Sequence, residues 1–299
     1  MHLTDHPVAL VKTASYTLFA LVAFAANSVL CRMALGDDTI DAVSFTVVRL
    51  LSGMVMLVII LKIVGHQGSA STKGSWLSAL MLFLYAVAFS YAYISLDTAT
   101  GALVLFGAVQ ITMVVVSVMT GTRLHVSEWF GLLIAFAGFV YLMLPGVTAP
   151  SFGGFILMTV AGMAWGVYTL RGRGSAYPLS DTAFNFARTA PLVVVLALIA
   201  IPTVQLSSQG IILAVLSGAV ASGVGYTVWY MALSGLTATE AAVVQLSVPV
   251  IAAIGGVVLV SEAITVRLAV AGIMILGGIL AVISGRYYFV RRNKTAPPA

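Results

Sequence analysis

Residues 98–121 read TATGALVLFGAVQITMVVVSVMTG, and none of them is charged. A helix needs about 20 consecutive apolar residues to cross the hydrocarbon core of a bilayer. This stretch is long enough, and it is apolar on all sides. A strand of a membrane barrel would instead alternate apolar and polar residues over about 10 positions. Residues 98–121 therefore predict a transmembrane helix.

Similar segments occupy most of the 299-residue chain, which is 61% hydrophobic and 8% charged. Soluble domains are roughly 25% charged, and a soluble core could not cover so much apolar surface. Turn or charged residues such as Pro145-Gly146 separate the segments. The predicted fold is an all-α polytopic membrane protein with ten transmembrane helices, at residues 8–35, 41–63, 75–96, 98–121, 127–144, 151–170, 181–201, 209–233, 239–260 and 266–289.

The positive charges predict how these helices are oriented. With a cytoplasmic N-terminus, ten lysines and arginines fall on the inner side and two, Arg32 and Arg267, on the outer side. The ten are Lys12, Lys62, Lys73, Arg123, Arg171, Arg173, Arg286, Arg291, Arg292 and Lys294. Positive loops remain in the cytoplasm, so we expect both termini there and the chain in the inner (plasma) membrane. This distribution, and not nucleic-acid binding, explains the pI near 9.4.

The two halves of the chain contain matching patterns. Phe45-x-x-x-Arg49 in the second segment matches Phe184-x-x-x-Arg188 in the seventh. The pairs 98–102 and 237–241, and 137–138 and 277–278, also match in order. Five helices per half would place the second half in the membrane upside down, as in transporters that work by alternating access. We predict inverted five-helix repeats at 8–146 and 151–290, followed by a basic cytoplasmic tail at 291–299.

The chain resembles the drug/metabolite transporter superfamily, in its ten-helix EamA-domain branch. The resemblance rests on residues 45–50 and on the run 233–278, which contains Pro249 and Glu262. The first half departs from the family pattern, with Gln110 near the proline position and Gly121-Thr122 in place of the Gly-Glu-like pair. The resemblance implies a central cavity between the halves and helices five and ten at the periphery. Within the family the chain is most similar to YddG-type exporters of aromatic and other amino acids, whereas other members move drugs, sugars or nucleotide precursors.

Aromatic residues within the segments are candidates for the substrate site. They are Tyr85 and Phe89 on the third segment, Trp165 and Tyr168 on the sixth, and Tyr226 and Trp229 on the eighth. Aromatic walls with hydroxyl tips suit an amphipathic cargo, through stacking and cation–π contact with an ammonium group. The alternative is packing against lipid or neighbouring helices.

Polar residues deep in the bilayer need a partner, because lipid offers none. Asn27, Gln110 and Gln245 could bind a carboxylate or amide of the cargo, or join helices by hydrogen bonds. Arg49 and Arg188 lie within their helices, where they could attract an anionic group or anchor to the interface by snorkelling.

Two further residues are candidates for gating or charge. Glu240 begins the ninth segment, where the helix macrodipole also favours an acidic residue. Pro249 would free a backbone carbonyl and permit bending.

These patterns predict a secondary transporter that exports a small amphipathic metabolite, most of all an aromatic amino acid, by alternating access. Export of other metabolites or drugs, and a passive channel, are the alternatives. There is no Gly-x-Ser-x-Gly motif, metal-ligand motif or phosphate-binding loop, so we expect no enzyme and no cofactor. The expected partners are the small-molecule substrate and the lipid bilayer, with no nucleic acid, and the expected unit is a monomer.

Overall fold

The computed structural model describes residues 5–64, 73–121, 124–146, 149–172, 175–233, 235–236 and 238–295. Its first seven helices are α1 (Asp5–Gly36), α2 (Ala42–Val64), α3 (Trp76–Tyr93), α4 (Thr98–Met119), α5 (Val126–Met143), α6 (Phe152–Gly172) and α7 (Pro178–Ala200). A short 3-10 turn, Ile201–Thr203, ends α7. The described chain continues with α8 (Ser208–Val215), a π-helical stretch (Leu216–Val224), α9 (Gly225–Leu233), α10 (Ala238–Gln245), α11 (Val248–Val260) and α12 (Val266–Thr295).

The helices form ten apolar spans that agree with the ten predicted segments. Within the described residues, nine helical stretches are long and apolar enough to cross a membrane, and Glu128–Met143 is a shorter apolar helix. The stretch Ser208–Leu233 counts as one span, because α8, the π-helical stretch and α9 follow each other without a break. The prediction of an all-α polytopic membrane protein with ten spans is confirmed.

Three features of the helices differ from the prediction. The ninth segment is divided at Leu246 and Ser247, because Pro249, in the first turn of α11, has no N–H to donate to the carbonyl oxygen of Gln245 four residues earlier, and its ring crowds that carbonyl. The eighth segment contains the π-helical stretch, which hydrophobicity alone does not reveal. The helix α12 runs to Thr295, so the first part of the predicted tail at 291–299 is helical, and residues 296–299 lie outside the described residues.

The helices of the two halves pack in matching pairs. The helix α3 packs on α6, and the stretch from α8 to α9 packs on α1. Likewise α4 packs on α6, whereas α11 packs on α1. The pairs α2 with α7, α4 with α11 and α5 with α12 link corresponding spans of the two halves. This arrangement of contacts is the one expected of two related five-helix units that face each other.

Two glycines allow α5 and α12 to approach closely. A Cβ atom on Gly131 would lie 2.6 Å from the Gly278 carbonyl oxygen, and one on Gly278 would lie 2.5 Å from the Gly131 carbonyl oxygen. Small residues at such contacts let membrane helices pack backbone against backbone. The pair α5–α12 leaves the centre of the molecule to α1, α3, α4, α6 and the stretch from α8 to α9.

Candidate functional site in the centre of the helix bundle

A small cavity lies in the centre of the described structure, between α1, α3, α4, α6 and the stretch from α8 to α9. Its volume is about 20 Å³, which is room for roughly one water molecule. We call it the central cavity, and its lining includes Phe24, Asn27, Tyr85, Phe89, Phe106, Trp165 and Tyr226. Five of these residues, Asn27, Tyr85, Phe89, Trp165 and Tyr226, were predicted from the sequence.

Trp165 is the middle member of an aromatic stack beside the central cavity. Its ring centroid lies 4.9 Å from that of Tyr85, 5.0 Å from that of Tyr226 and 5.2 Å from that of Tyr168. The Trp165 and Tyr168 rings are nearly parallel, with an interplanar angle of 24°. Such offset pairs add about 0.5–1.5 kcal/mol each beyond their burial. The stack connects α3, α6 and α9, so these helices must separate for the cavity to enlarge.

A chain of hydrogen bonds joins the polar residues of the site. The Tyr85 hydroxyl accepts hydrogen bonds from Arg49 Nη2 at 2.9 Å and from Asn27 Nδ2 at 3.3 Å. The Asn27 Oδ1 atom accepts in turn from Ser217 Oγ at 2.5 Å, in the π-helical stretch. Asn27 thus lines the cavity and also links α1 to α3 and to the eighth span, as the helix-joining alternative predicts.

Arg49 and Arg188 match in the sequence but differ in their surroundings. The Arg49 side chain is 2% exposed, and its guanidinium carbon lies 5.1 Å and 4.9 Å from the ring centroids of Tyr85 and Phe89. Arg188 is half-buried and lies 5.7 Å from the ring centroid of Trp76, a residue that is 63% exposed. Arg188 therefore has the surroundings of an interfacial anchor, whereas Arg49 belongs to the centre.

The remaining predicted residues lie outside the cavity lining. Tyr168 stacks on the far side of Trp165, and Trp229 packs edge-on against Phe24 with centroids 5.7 Å apart. Gln245 donates to the carbonyl oxygen of Ala241 in its own helix, so this hydrogen bond joins no second helix.

Three further predictions concern positions away from the cavity. Gln110 is buried in α4, and its Nε2 atom has no hydrogen-bond partner among the described residues. Pro249 is buried at the start of α11. The side chain of Glu240 lies outside the described residues.

Two larger pockets lie at opposite ends of the bundle. One, of about 260 Å³, is lined by Asp41, Tyr91 and Gln205 among others, and we call this side the Asp41 end. The other, of about 230 Å³, is lined by Tyr168, Arg171 and Asp181 among others, and we call this side the Asp181 end. The central cavity lies between these two pockets, separated from the second by the stacked rings of Trp165 and Tyr168.

Asp41 and Asp181 make corresponding contacts at their two ends. Asp41 precedes α2 and accepts hydrogen bonds from the amides of Val43 and Ser44 and, across the halves, from that of Gln205 at 2.9 Å. Asp181 lies in the first turn of α7 and accepts across the halves from the amide of Gly74, also at 2.9 Å. The sequence analysis does not single out this pair, because each carboxylate contacts a residue of the other half that is distant in sequence.

An ion-pair network closes the Asp41 end between α1, α4 and the end of α11. Glu262 accepts from the Thr98 amide at 2.9 Å and pairs with Arg32 Nε at 3.2 Å. Arg32 also donates to the carbonyl oxygen of Tyr93 at 3.2 Å. The carboxylate of one half therefore occupies the N-terminus of α4 in the other, where the helix macrodipole favours a negative charge.

Known proteins similar to this chain identify what kind of protein it is. The model of the EamA-like transporter family matches residues 152–284. An uncharacterized protein of Pseudomonas aeruginosa is 49% identical over 251 residues, which are 84% of this chain and 87% of that protein. An uncharacterized transporter of Archaeoglobus fulgidus is 27% identical over 202 residues, which are 63% of this chain and 70% of that protein. The second half of the chain, at residues 152–284, therefore matches the EamA-like transporter family.

A solved structure has a fold similar to that of this chain. A crystal structure of another protein has a TM-score of 0.65 and 20% identity, and the match covers 95% of this chain and 99% of that one. The family match runs from α6 into α12 and includes Pro249 and Glu262, two residues on which the resemblance rests. The resemblance to EamA-domain proteins is therefore confirmed for the second half of this multi-pass membrane protein.

Proposed function

We propose that this EamA-like transporter is a secondary carrier that exports small amphipathic metabolites, above all aromatic amino acids, like the YddG-type exporters. The observation that carries the proposal is the central cavity, with its wall of Tyr85, Phe89, Trp165 and Tyr226. Ring faces of this kind suit an aromatic side chain by stacking and an ammonium group by cation–π contact. The Asn27 amide and the Tyr85 hydroxyl add polar groups for the rest of the cargo.

Alternating access is the mechanism that the placement of the pockets supports. The central cavity has a larger pocket towards each end of the bundle. The aromatic stack lies between the cavity and the pocket at the Asp181 end, and the Arg32–Glu262 network lies at the Asp41 end. The halves 8–146 and 151–290 would rock as inverted repeats, and the reciprocal contacts of Asp41 and Asp181 support that symmetry. The cargo would enter at the Asp181 end and leave at the Asp41 end.

The orientation follows from the charges. The Asp181 end would face the cytoplasm, with both termini and the basic tail at 291–299, because most lysines and arginines belong to it. The two arginines at the other end are engaged there, Arg32 by Glu262 and Arg267 by the carbonyl oxygen of Leu144. The membrane would be the inner (plasma) membrane, and one chain contains the whole cavity, which supports a monomeric unit.

Transport by purified protein in proteoliposomes tests this proposal. We expect saturable uptake of labelled phenylalanine and its counterflow against unlabelled phenylalanine, which a passive channel would not give. The variants Trp165→Ala and Tyr85→Ala should lower the flux about fivefold or more, because each removes a ring face that would stack on the cargo, a contact worth about 0.5–1.5 kcal/mol.

Trp129→Ala is the matched control, since Trp129 is 52% exposed on α5, away from the cavity. It should transport like the wild type at an equal amount of folded protein. Normal flux in both Trp165→Ala and Tyr85→Ala would remove the central cavity from the transport path. Uptake that does not saturate and shows no counterflow would replace the carrier by a channel, and a panel of sugars and drugs would identify a different cargo.

A further inference from the structure

The Arg49 guanidinium is a buried positive charge for which the described residues supply no negative partner. Its side chain is 2% exposed. All nine acidic residues of the sequence, at positions 5, 37, 38, 41, 97, 128, 181, 240 and 262, lie at helix ends or between helices. Within the described residues, no carboxylate forms an ion pair with Arg49. A charge buried in this way is unfavourable unless an opposite charge joins it.

The guanidinium also has hydrogen-bonding capacity to spare. Its Nη2 atom donates to the Tyr85 hydroxyl at 2.9 Å, whereas its Nη1 atom is buried without a hydrogen-bond partner in the part of the chain that the structure describes. The rings of Tyr85 and Phe89 attract the cation through their faces but accept no N–H hydrogen bond in its plane. A guanidinium presents a planar set of donors that matches the two oxygens of a carboxylate.

The position of Arg49 connects it to the central cavity. Tyr85 and Phe89 line that cavity, and the same two rings pack on the guanidinium from 5.1 Å and 4.9 Å. The Tyr85 hydroxyl is shared between Arg49 and Asn27, so a shift of this ring would release two donors together. Two side chains of the cavity wall therefore pack directly on the charge.

The lining of the cavity has no charged side chain that would pair with a positive group, as Arg49 would pair with a negative one. Its residues are aromatic, apolar, amide or hydroxyl, and none of them is acidic. An ammonium group would meet only ring faces and neutral oxygens there. The cavity is thus built for a negative group at the Arg49 side and an apolar body beside Trp165.

We propose that Arg49 binds the carboxylate of the cargo, and that the substrate class is small monocarboxylates with an aromatic or other apolar body. This inference rests on the proposed function, because it takes the central cavity as the cargo site. The inference also narrows the proposed range of cargo. The carboxylate is required for binding, whereas the amino group of an amino acid is not. A simple amide or ester of the same body lacks the group that Arg49 recognises.

A ligand-binding experiment with matched pairs tests the inference. The purified protein in detergent is titrated with phenylalanine and phenylalaninamide, and with 3-phenylpropanoate and 3-phenylpropanamide, while the unfolding temperature is followed. A ligand that binds the folded state raises this temperature, and the stabilisation grows with the logarithm of 1 + [L]/Kd, so the concentration dependence gives the Kd of each ligand. We expect each carboxylate to bind the wild type at least about 10-fold more tightly than its amide, the size expected for hydrogen bonds to a charged group.

Variants at Arg49 sharpen the result. Arg49→Gln should weaken binding of both carboxylates about 10- to 100-fold and leave the affinity for the amides unchanged. The affinity of Arg49→Lys for the carboxylates should lie between those of Arg49→Gln and the wild type, because a lysine keeps the charge but not the planar donors. Arg267→Gln removes a charge next to the carbonyl oxygen of Leu144, far from the cavity, and should behave like the wild type. The unchanged amide response shows that an Arg49 variant is folded.

The outcomes separate this inference from the proposed cargo. Binding of 3-phenylpropanoate without binding of phenylalanine would support the Arg49 subsite and overturn an amino acid as cargo. Binding of both carboxylates with loss in Arg49→Gln would support the subsite and the cargo together. Amides that bind as well as their carboxylates, carboxylates that do not bind at all, or an Arg49→Gln variant with unchanged preference would each overturn the subsite.

Discussion

Asp41 joins two elements through one carboxylate. Its Oδ1 atom accepts from the first amides of α2, and its Oδ2 atom accepts from the Gln205 amide of the other half. Partial burial opposes ionisation, but the hydrogen bonds from Ser44, Gln205 and Val43 outweigh it and hold the pKa of the Asp41 carboxyl below its usual value of 3.8. The charged form of Asp41 therefore stabilises the folded protein.

A pH series of thermal unfolding tests this contribution. A lowered pKa in the folded state means that the stabilisation is complete above the pKa of the unfolded chain, near 3.9, and is lost as the pH falls through the folded-state pKa. Asp41→Asn should unfold more easily than the wild type above about pH 5, by about 1 kcal/mol, because an NH2 group cannot accept the hydrogen bond of the Gln205 amide, and the difference should shrink as the pH falls below about 4. Asp37→Asn, at an exposed position, should follow the wild type. A constant difference between Asp41→Asn and wild type down to pH 3 would contradict this account.

The sequence predicts which residues lie near the middle of the membrane better than it predicts which residues they contact. Depth in the membrane can be counted along a helix, and this placed Tyr85, Trp165 and Tyr226 correctly near the middle. The direction in which a side chain points depends on packing between helices that are distant in sequence. For that reason Arg49 and Arg188 looked alike in their repeated motif, although one lies in the centre and the other over Trp76.

The π-helical stretch Leu216–Val224 is the element that brings the eighth span into the site. It packs on α2, where a Cβ atom on Gly218 would collide with the carbonyl oxygen of Arg49. It also places Ser217 within hydrogen-bonding distance of Asn27. Hydrophobicity predicted this span but not its winding, because a π-helical turn forms in response to the neighbouring helices, and such turns are frequent at functional sites.

Substitution of glycines tests how closely this element must pack. Gly218→Ala should destabilise the protein by about 1–3 kcal/mol, because neither backbone can withdraw without shifting a helix. Gly277→Ala is the matched control on α12, since a Cβ atom there meets nothing within 4 Å. It should be neutral or stabilising by up to about 1 kcal/mol, as alanine favours a helix over glycine. The unfolding midpoints of the two purified variants give the comparison, and equal midpoints would argue against a close contact at Gly218.

At the scale of the whole molecule, the two ends are closed differently. The Asp41 end has the ion-pair network of Arg32 and Glu262, whereas at the Asp181 end Arg171 donates to the hydroxyl of Ser78 at 3.3 Å. The sequence already showed that Gly121-Thr122 stands where the second half has Ser261-Glu262. What it could not show is that Glu262 binds the start of α4, because that contact joins residues 164 positions apart.

Labelling of single cysteines tests the orientation of the whole bundle. The one natural cysteine, Cys31, is buried, so it should not react with a maleimide that cannot cross the membrane. In intact cells Gln205→Cys, at the Asp41 end, should be labelled, whereas Lys73→Cys, beside Gly74 at the Asp181 end, should be labelled only after the membrane is opened. Both original residues are exposed. Labelling of both variants in intact cells would mean that these loops share one side, and the ten-span topology would be wrong.

The narrowness of the central cavity has a consequence for the energetics of the cell. Its volume of about 20 Å³ holds roughly one water molecule, between pockets of about 260 and 230 Å³. Protons cross membranes along continuous files of water, and a single molecule walled in by aromatic rings does not complete one. In this closed conformation we therefore expect no proton leak, so that a cell could hold many idle copies in its membrane without discharging its proton gradient.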